Sequence, residues 1–385
     1  MRDRHIDYKT IVMIDPIGLI LNGGKDVIDR HASYAENIQD RFPELRIKLV
    51  VVSKSVGPTE RIIKERNLTI IPISLTRNNL FAFVSKAART LDKLGYKPVV
   101  LVAGDPWRAG YAAVLIRRLF FRNSKIQVQL HGDITNLSWI KFRPKNLIKL
   151  GLSVLPIKFA NQIRVMNISQ LKSTRNLFRL KEENIILAPI PIPQRNHLGK
   201  SGQVTINPKS IGFIGRLEKD RGTRDLVKLI KKLVIVDPDL NLIIVGIGSE
   251  NSFLRTRLGE LIPKERLIFT GNLSQRQLGE IWPKISVLVS LAPSESFGRA
   301  IREALWNGVP IWIRETRGSK DLTRIIPNSY WHSLNLKSSP RDLDVQFKTL
   351  LQNRGNFDLG TFFEEENKRN LNILVNSWIN LATSK

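Results

Sequence analysis

At 385 residues, 42% of them hydrophobic, the chain is long enough for two ordinary domains and too apolar to remain disordered. It has no cysteine, which excludes a disulfide scaffold, a thiol nucleophile, an iron–sulfur cluster and cysteine-ligated zinc. Lys and Arg number 61 against 34 Asp and Glu, a net +27, and a surplus of that size calls for an anionic partner: nucleic acid, membrane or phosphorylated substrate.

Short β-branched runs alternate with longer amphipathic stretches, the pattern of parallel α/β domains. In the first half, strands are expected at Thr10–Ile14, Ile47–Val52, Thr69–Ile73, Val99–Val102, Ile126–Leu130 and Gln162–Val165. Helices such as Lys25–Arg41, Asn79–Leu94, Ala109–Phe121 and Asn146–Phe159 lie between them. Pro189, Pro191 and Pro193 then mark an extended connection that continues through the polar stretch Gln194–Ser210. Beyond it, strands are expected at Ser210–Ile214, Leu242–Val245, Leu267–Phe269, Val287–Ser290 and Val309–Ile313, with helices at Thr223–Val236, Glu250–Leu261, Ser274–Lys284 and Gly298–Asn307. The last segment, Phe357–Lys385, reads as helical. The charged start Met1–His5 has no apolar core behind it, so no secretory signal is expected, and no apolar run nears the ~20 residues of a membrane span.

Open parallel sheets bind ligands at the carboxyl ends of their strands, which makes the loops after each strand the place to look. The strand ending at Ile214 runs into Gly215-Arg216-Leu217-Glu218-Lys219-Asp220-Arg221-Gly222, where two arginines beside a helix start suit a diphosphate. The strand ending at Val245 runs into Gly246-Ile247-Gly248; a third glycine is missing at Asn251, so the dinucleotide fingerprint fails. The strand ending at Ser290 leads to Glu295, Phe297, Gly298 and, eight residues after the first acid, Glu303. Were that interval wholly helical, the two backbones would lie ~12 Å apart. That is long for a glycosidase carboxylate pair and suits two acids gripping opposite ends of one ligand. Each motif alone also fits solvated surface residues or tight turns.

In this order and spacing, Gly-Arg-Leu-x3-Arg-Gly, Val-Gly-x-Gly and Glu-x7-Glu with Phe-Gly resemble the C-terminal domain of family-four (group 1) retaining glycosyltransferases, over about Ile211–Leu322. The resemblance implies an α/β fold of two Rossmann-like α/β/α domains facing across a cleft, the GT-B type. An acceptor-side domain would occupy residues 1–195 and a nucleotide-sugar-binding domain 205–355, with a C-terminal helix over 356–385 packing back. It implies that Glu295 contacts the donor sugar together with the backbone of Phe297 and Gly298, and that Glu303 accepts from the ribose hydroxyls. Arg216 would bind the diphosphate, and Gly215, Gly246 and Gly248 would lie by the nucleotide. Where the family usually has lysine, this chain has Arg221, with Lys219 as a possible substitute. Gly23 and Gly24 are similar to the family's glycine loop near the donor phosphates, and His131, after its strand, to the histidine that faces the donor sugar. The loop holding Asp105 would face the same cleft, an assignment from topology alone.

Two Asp-x-Asp strings, Asp237–Asp239 and Asp342–Asp344, fall in a turn away from the ligand edge and in a C-terminal helix. His5, His31, His197 and His332 lack ligand spacing, so neither a metal nor another cofactor is expected. Between residues 51 and 200 there are 26 basic and 7 acidic side chains. Over 115–158 cations interleave with aromatic and aliphatic residues, as on a helix lying on an anionic membrane or simply packing with a solvated basic face. The expectation is a cytoplasmic retaining glycosyltransferase, peripheral on the inner face of the plasma membrane and serving envelope polysaccharide or glycolipid synthesis. It would use a nucleotide-diphosphate-sugar donor and a glycan or lipid-linked acceptor. A nucleotide-sugar epimerase on the same fold is an alternative. So is a nucleic-acid-binding protein, although no zinc-finger, RNA-binding or basic-zipper signature supports that.

Overall fold

The computed structural model describes residues 8–55, 57, 61–75, 79–192, 209–354 and 358–384. The chain divides into two units: one runs to Ile190 and takes back Arg369 onward, the other is Pro191–Lys368. Most of the stretch read as a connection, residues 193–208, lies outside the described residues.

The first unit holds strands β1 (Lys9–Asp15), β2 (Ile47–Lys54), β3 (Ile63–Glu65), β4 (Leu68–Ile73), β5 (Lys97–Ala103), β6 (Lys125–Gln129), β7 (Gln162–Val165) and β8 (Ile185–Leu187). They form one sheet in the order β3-β4-β2-β1-β5-β6-β7-β8, with only β3–β4 antiparallel. Its helices are α1 (Lys25–Arg41), α2 (Leu80–Lys93), α3 (Arg108–Leu119), α4 (Leu137–Phe142), α5 (Lys145–Phe159) and α6 (Ile168–Phe178). A parallel sheet covered on both faces needs strands that are apolar throughout, and β1 shows the consequence. Val12 and Ile14 enter a core with Phe83 and Leu91 of α2 and Ile116 of α3. Ile11 and Met13 enter the opposite core with Tyr34, Ala35 and Ile38 of α1.

The second unit holds β9 (Ser210–Ile214), β10 (Asn241–Val245), β11 (Leu267–Gly271), β12 (Val287–Ser290), β13 (Ile311–Ile313) and β14 (Trp331–Ser333), all parallel in the order β11-β10-β9-β12-β13-β14. Its helices are α7 (Thr223–Leu233), α8 (Asn251–Gly259), α9 (Gln275–Ile281), α10 (Arg299–Trp306), α11 (Arg317–Thr323) and α12 (Pro340–Gln352). Phe213, Ile244 and Val289 from the sheet pack with Leu226 and Ile230 of α7 and Phe347 of α12. The final helix, α13 (Gly360–Thr383), lends its start to this unit and Arg369 onward to the first. There Trp378, fully buried, donates its indole N–H to Gln127 Oε1 at 2.7 Å and meets Tyr34 edge-on.

The expected strands all exist, with ends within two residues of those read from the sequence. Three that were not expected, β3, β8 and β14, are three-residue edge strands with partly exposed side chains, too short to carry an alternating pattern.

Candidate functional site

In the second sheet β9 lies between β10 and β12, so the chain order reverses there, and the crevice at such a switch point is where open α/β sheets take ligands. A cavity of about 490 Å³ occupies it. The loops after β9, β10 and β12 bring Gly215, Arg216, Arg221, Gly246, Glu295 and Gly298 to its wall, and α10 adds Glu303.

Glu295 is held firmly. Its carboxylate accepts from Arg221 Nη1 at 2.8 Å, and its carbonyl accepts from Gly318 N at 3.0 Å and Thr316 Oγ1 at 3.2 Å. Glu295 lies in the loop rather than in a helix, because α10 starts only at Arg299, after Gly298 caps it with a left-handed φ of 73°. Glu303 is nearly buried and accepts from Arg299 Nε at 2.6 Å. Each carboxylate thus carries its own arginine. Arg216 is largely exposed and 3.7 Å from Asp220. Lys219 turns to Glu250 at 4.0 Å and is absent from the cavity wall, so Arg221 and not Lys219 is the second cation there.

Two expected residues lie off the wall. A Cβ on Gly248 would come 2.3 Å from Leu217 O, and one on Gly246 1.9 Å from Gly215 O. These glycines exist because the loops after β9 and β10 lie backbone against backbone, joined by Leu217 N to Ile247 O (2.9 Å) and Glu250 N to Leu217 O (2.8 Å). Phe297 is 5% exposed with its ring under the Arg302 guanidinium, 3.9 Å away. Sequence reasoning passed over Arg299 and the loop after β11, which supplies Asn272 and leads to Gln275 at the start of α9. Reading that strand end as the others were read would have found the loop.

The first sheet has its own switch point, where β1 lies between β2 and β5, and a cavity of about 1120 Å³ there. Gly23 and His131 line it, as does the Asp105 loop, while Gly24, whose φ of 80° starts α1, does not. Arg30, His31, Asp15 and Arg164, none of them anticipated, complete the polar wall. Arg164 of β7, 2% exposed, donates to Ala188 O, Pro189 O and Gln129 Oε1, and burial lowers it to about 10, so it stays charged. His131 is exposed on the cavity wall, where desolvation by the surrounding protein, with repulsion from Arg164 and Arg30, lowers its pKa below the usual imidazole value. It is a neutral hydrogen-bonding group near pH 7.

His31 is 5% exposed, its Nδ1 is 2.6 Å from Val27 O, and burial beside Arg30 lowers it to about 4. Its folded value lies below the unfolded ~6.5, so its contribution to stability is complete above that value and is lost as pH falls toward 4. Between pH 7 and pH 5 this group alone should cost about 2 kcal/mol. Urea unfolding at the two pH values should give His31→Gln a drop in stability smaller than the parent's by about that amount; equal drops would refute it.

The Asp-x-Asp strings have structural partners: Asp237 pairs with Lys209 and Asp239 with Arg266, while Asp342 completes the capping box of α12 with Ser339 and Asp344 pairs with Lys348. Among the described residues no group of three or more His, Asp or Glu side chains is placed to hold a metal ion.

Two Rossmann-like parallel α/β domains give the GT-B type of glycosyltransferase fold. Anabaena HepE, solved with UDP and glucose, is similar at a TM-score of 0.69 and 14% identity, covering 97% of this chain and 100% of that one. Sucrose-phosphate synthase from Thermosynechococcus elongatus is similar at a TM-score of 0.68 and 16% identity, covering 97% and 96%.

Residues 199–324 match the family described as glycosyl transferases group 1, which shows over that stretch the resemblance carried by the three loops. Curated relatives include GDP-mannose-dependent alpha-mannosyltransferases of Mycolicibacterium smegmatis, 29% identical over 133 residues (34% of this chain), and Corynebacterium glutamicum, 34% over 125 (32% of this chain). A third is 2-deoxystreptamine glucosyltransferase of Streptomyces kanamyceticus, 27% identical over 101 residues (26% of this chain). The chain spans between 26% and 32% of the length of these three relatives.

Proposed function

We propose that the protein is a retaining glycosyltransferase that moves a sugar from a nucleotide-diphosphate donor to a glycan or lipid-linked acceptor, without a metal ion. The observation that carries this is the second-unit cavity, where two carboxylates, each with its own arginine, and the exposed Arg216 surround one space at a sheet switch point. Glu303 takes the ribose hydroxyls and Glu295 the sugar hydroxyls. Arg216 and the unused donors of the Arg221 fork take the diphosphate. As the bond from the anomeric carbon to the diphosphate oxygen breaks, these cations stabilise the charge on the leaving group. The acceptor oxygen bonds to the same face of that carbon, and its proton passes to the leaving phosphate oxygen. The acceptor is assigned to the first unit, where neutral His131 offers a hydrogen-bonding group on the cavity wall.

No helix among the described residues is long and apolar enough to cross a membrane. Peripheral attachment is supported by α4 and α5, where Leu137, Leu147, Ile148 and Leu152 are at least half exposed among Lys141, Lys145 and Lys149. We extend the proposal to a role in cell-envelope synthesis on the inner membrane face, for which that surface is the supporting observation.

A panel of nucleoside diphosphates tests the donor half. One of them at 100 times its Kd should add roughly 2.7 kcal/mol to the apparent stability. The matching nucleotide sugar should yield a product with the donor's anomeric configuration by NMR, and the protein should sediment with anionic but not neutral vesicles. No stabilisation by any nucleoside diphosphate would sink the donor assignment, an inverted product the retaining mechanism, and indifference to vesicle charge the membrane assignment.

A further inference from the structure

The 1120 Å³ cavity of the first unit joins two chemistries that seldom share a wall. Much of its surface is apolar, from Met13 and Ile14 of β1, Ile17 and Leu19 of the next loop, Val102 of β5 and Leu152 of α5. Its two carboxylates are committed to neighbouring donors: Asp15 accepts from Leu19 N (3.0 Å), Ile20 N (2.7 Å) and Ser53 Oγ (2.7 Å), and Asp105 from Trp107 N (2.7 Å). Of its cations Arg164 is held by main-chain carbonyls and Gln129, and the other three are not so committed. Among the described residues no carboxylate lies within ion-pair distance of Arg30, Arg108 or Lys149, all of which line the cavity. Lys149 instead rests over the Trp107 ring at 5.3 Å.

A cavity of this kind favours a ligand with an anionic group and an apolar body. Its rim leads on to more apolar surface. Leu152 and Lys149 belong to α5, on which Leu147, Ile148 and Leu155 are also exposed, by 60%, 66% and 42%. The spacing 148, 152, 155 sets Ile148, Leu152 and Leu155 along one helix face.

From this we infer that the cavity takes an amphiphilic anion as acceptor. Its phosphate or carboxylate is held by Arg30 and Arg108, and its hydrocarbon part lies between β1 and Leu152, with any longer chain leaving over the α5 stripe. The inference rests on the acceptor half of the proposed function and names its substrate class.

Dodecyl phosphate below its critical micelle concentration is the probe, with dodecyl maltoside and inorganic phosphate as the uncharged and chain-free controls, each titrated by calorimetry into the whole protein. Dodecyl phosphate should bind at least tenfold more tightly than either control. Arg30→Gln with Arg108→Gln should remove that advantage while leaving dodecyl maltoside unchanged, and Leu152→Ser, at a half-exposed position, should weaken both alkyl ligands. Equal affinity for the two alkyl ligands, phosphate binding as tight as dodecyl phosphate, or indifference to the arginine pair would each overturn the inference. Stabilisation by nucleoside diphosphate, read on the same samples, separates the failures. Its loss with dodecyl phosphate binding intact counts against the proposed donor site and not against this cavity.

Discussion

Replacing Glu295 with alanine lowers sugar transfer by about 100- to 1000-fold and leaves the fold and the nucleoside diphosphate affinity nearly unchanged, the size expected when one preorganised group that acts on the reacting sugar is removed. The fold is spared because the Arg221–Glu295 pair is only partly buried, with side chains 33% and 18% exposed, and pairs that water reaches contribute at most about 1 kcal/mol. The loop also keeps its main-chain anchors at Thr316 and Gly318. Glu303→Ala should behave differently. Its carboxylate is 8% exposed and is assigned to the ribose, so its loss should weaken nucleoside diphosphate binding roughly 10- to 100-fold, the equivalent of charge-assisted hydrogen bonds. Steady-state kinetics and calorimetry on both variants decide the matter. Turnover within threefold of the parent in Glu295→Ala would remove Glu295 from the chemistry. Equal nucleotide affinities in the two variants would undo the division of labour.

The second-unit site was legible because its residues are few in number between strand ends and fall in short, ordered loops. Arg216, Arg221, Glu295 and Glu303 reach one cavity because β9 and β12 are adjacent in the sheet, and the alternation of strands and helices already implied a parallel sheet of that kind. The reason for the glycines was less legible. Contact between Gly246 and the Gly215 backbone is a fact about two loops, and neither loop's sequence carries it. The first-unit cavity was legible only in part: the strand-end loops pointed to Gly23, His131 and Asp105, and its cations escaped for a related reason. Arg30 comes from α1, Arg108 from α3, His131 from the loop after β6 and Arg164 from β7, so no spacing connects them. His31, set aside for want of a partner in the sequence, stands on that same wall. The basic surplus between residues 51 and 200 signalled an anion, but only the fold shows that Arg108 and Lys149 share a cavity with Arg30, which lies outside that stretch.

Arg302 is the residue whose loss should harm the second unit most, although it lies off the cavity wall. It is 4% exposed, donates from Nη1 to Phe297 O, lies over the Phe297 ring and sits 3.5 Å from Glu366 of α13, itself 7% exposed. Burial lowers its pKa, and Glu366 foremost, with Asp321 and Glu295, opposes that, as expected of a cation retained in the interior by counter-charges. Arg302→Met leaves Glu366 buried without its partner, a change that costs about 3–5 kcal/mol and on the order of 10 °C in melting temperature for a unit of this size. Adding Glu366→Leu should return much of that stability, because two apolar side chains of similar volume often replace a buried ion pair without loss. The donor KM should nevertheless stay raised in the double variant. The guanidinium also fixes the carbonyl and ring of Phe297, next to Gly298 on the cavity wall and two residues from Glu295, and methionine can do neither. Recovery of stability and donor KM together would reduce Arg302 to a structural role, whereas stability without KM identifies it as the residue that positions the donor loop.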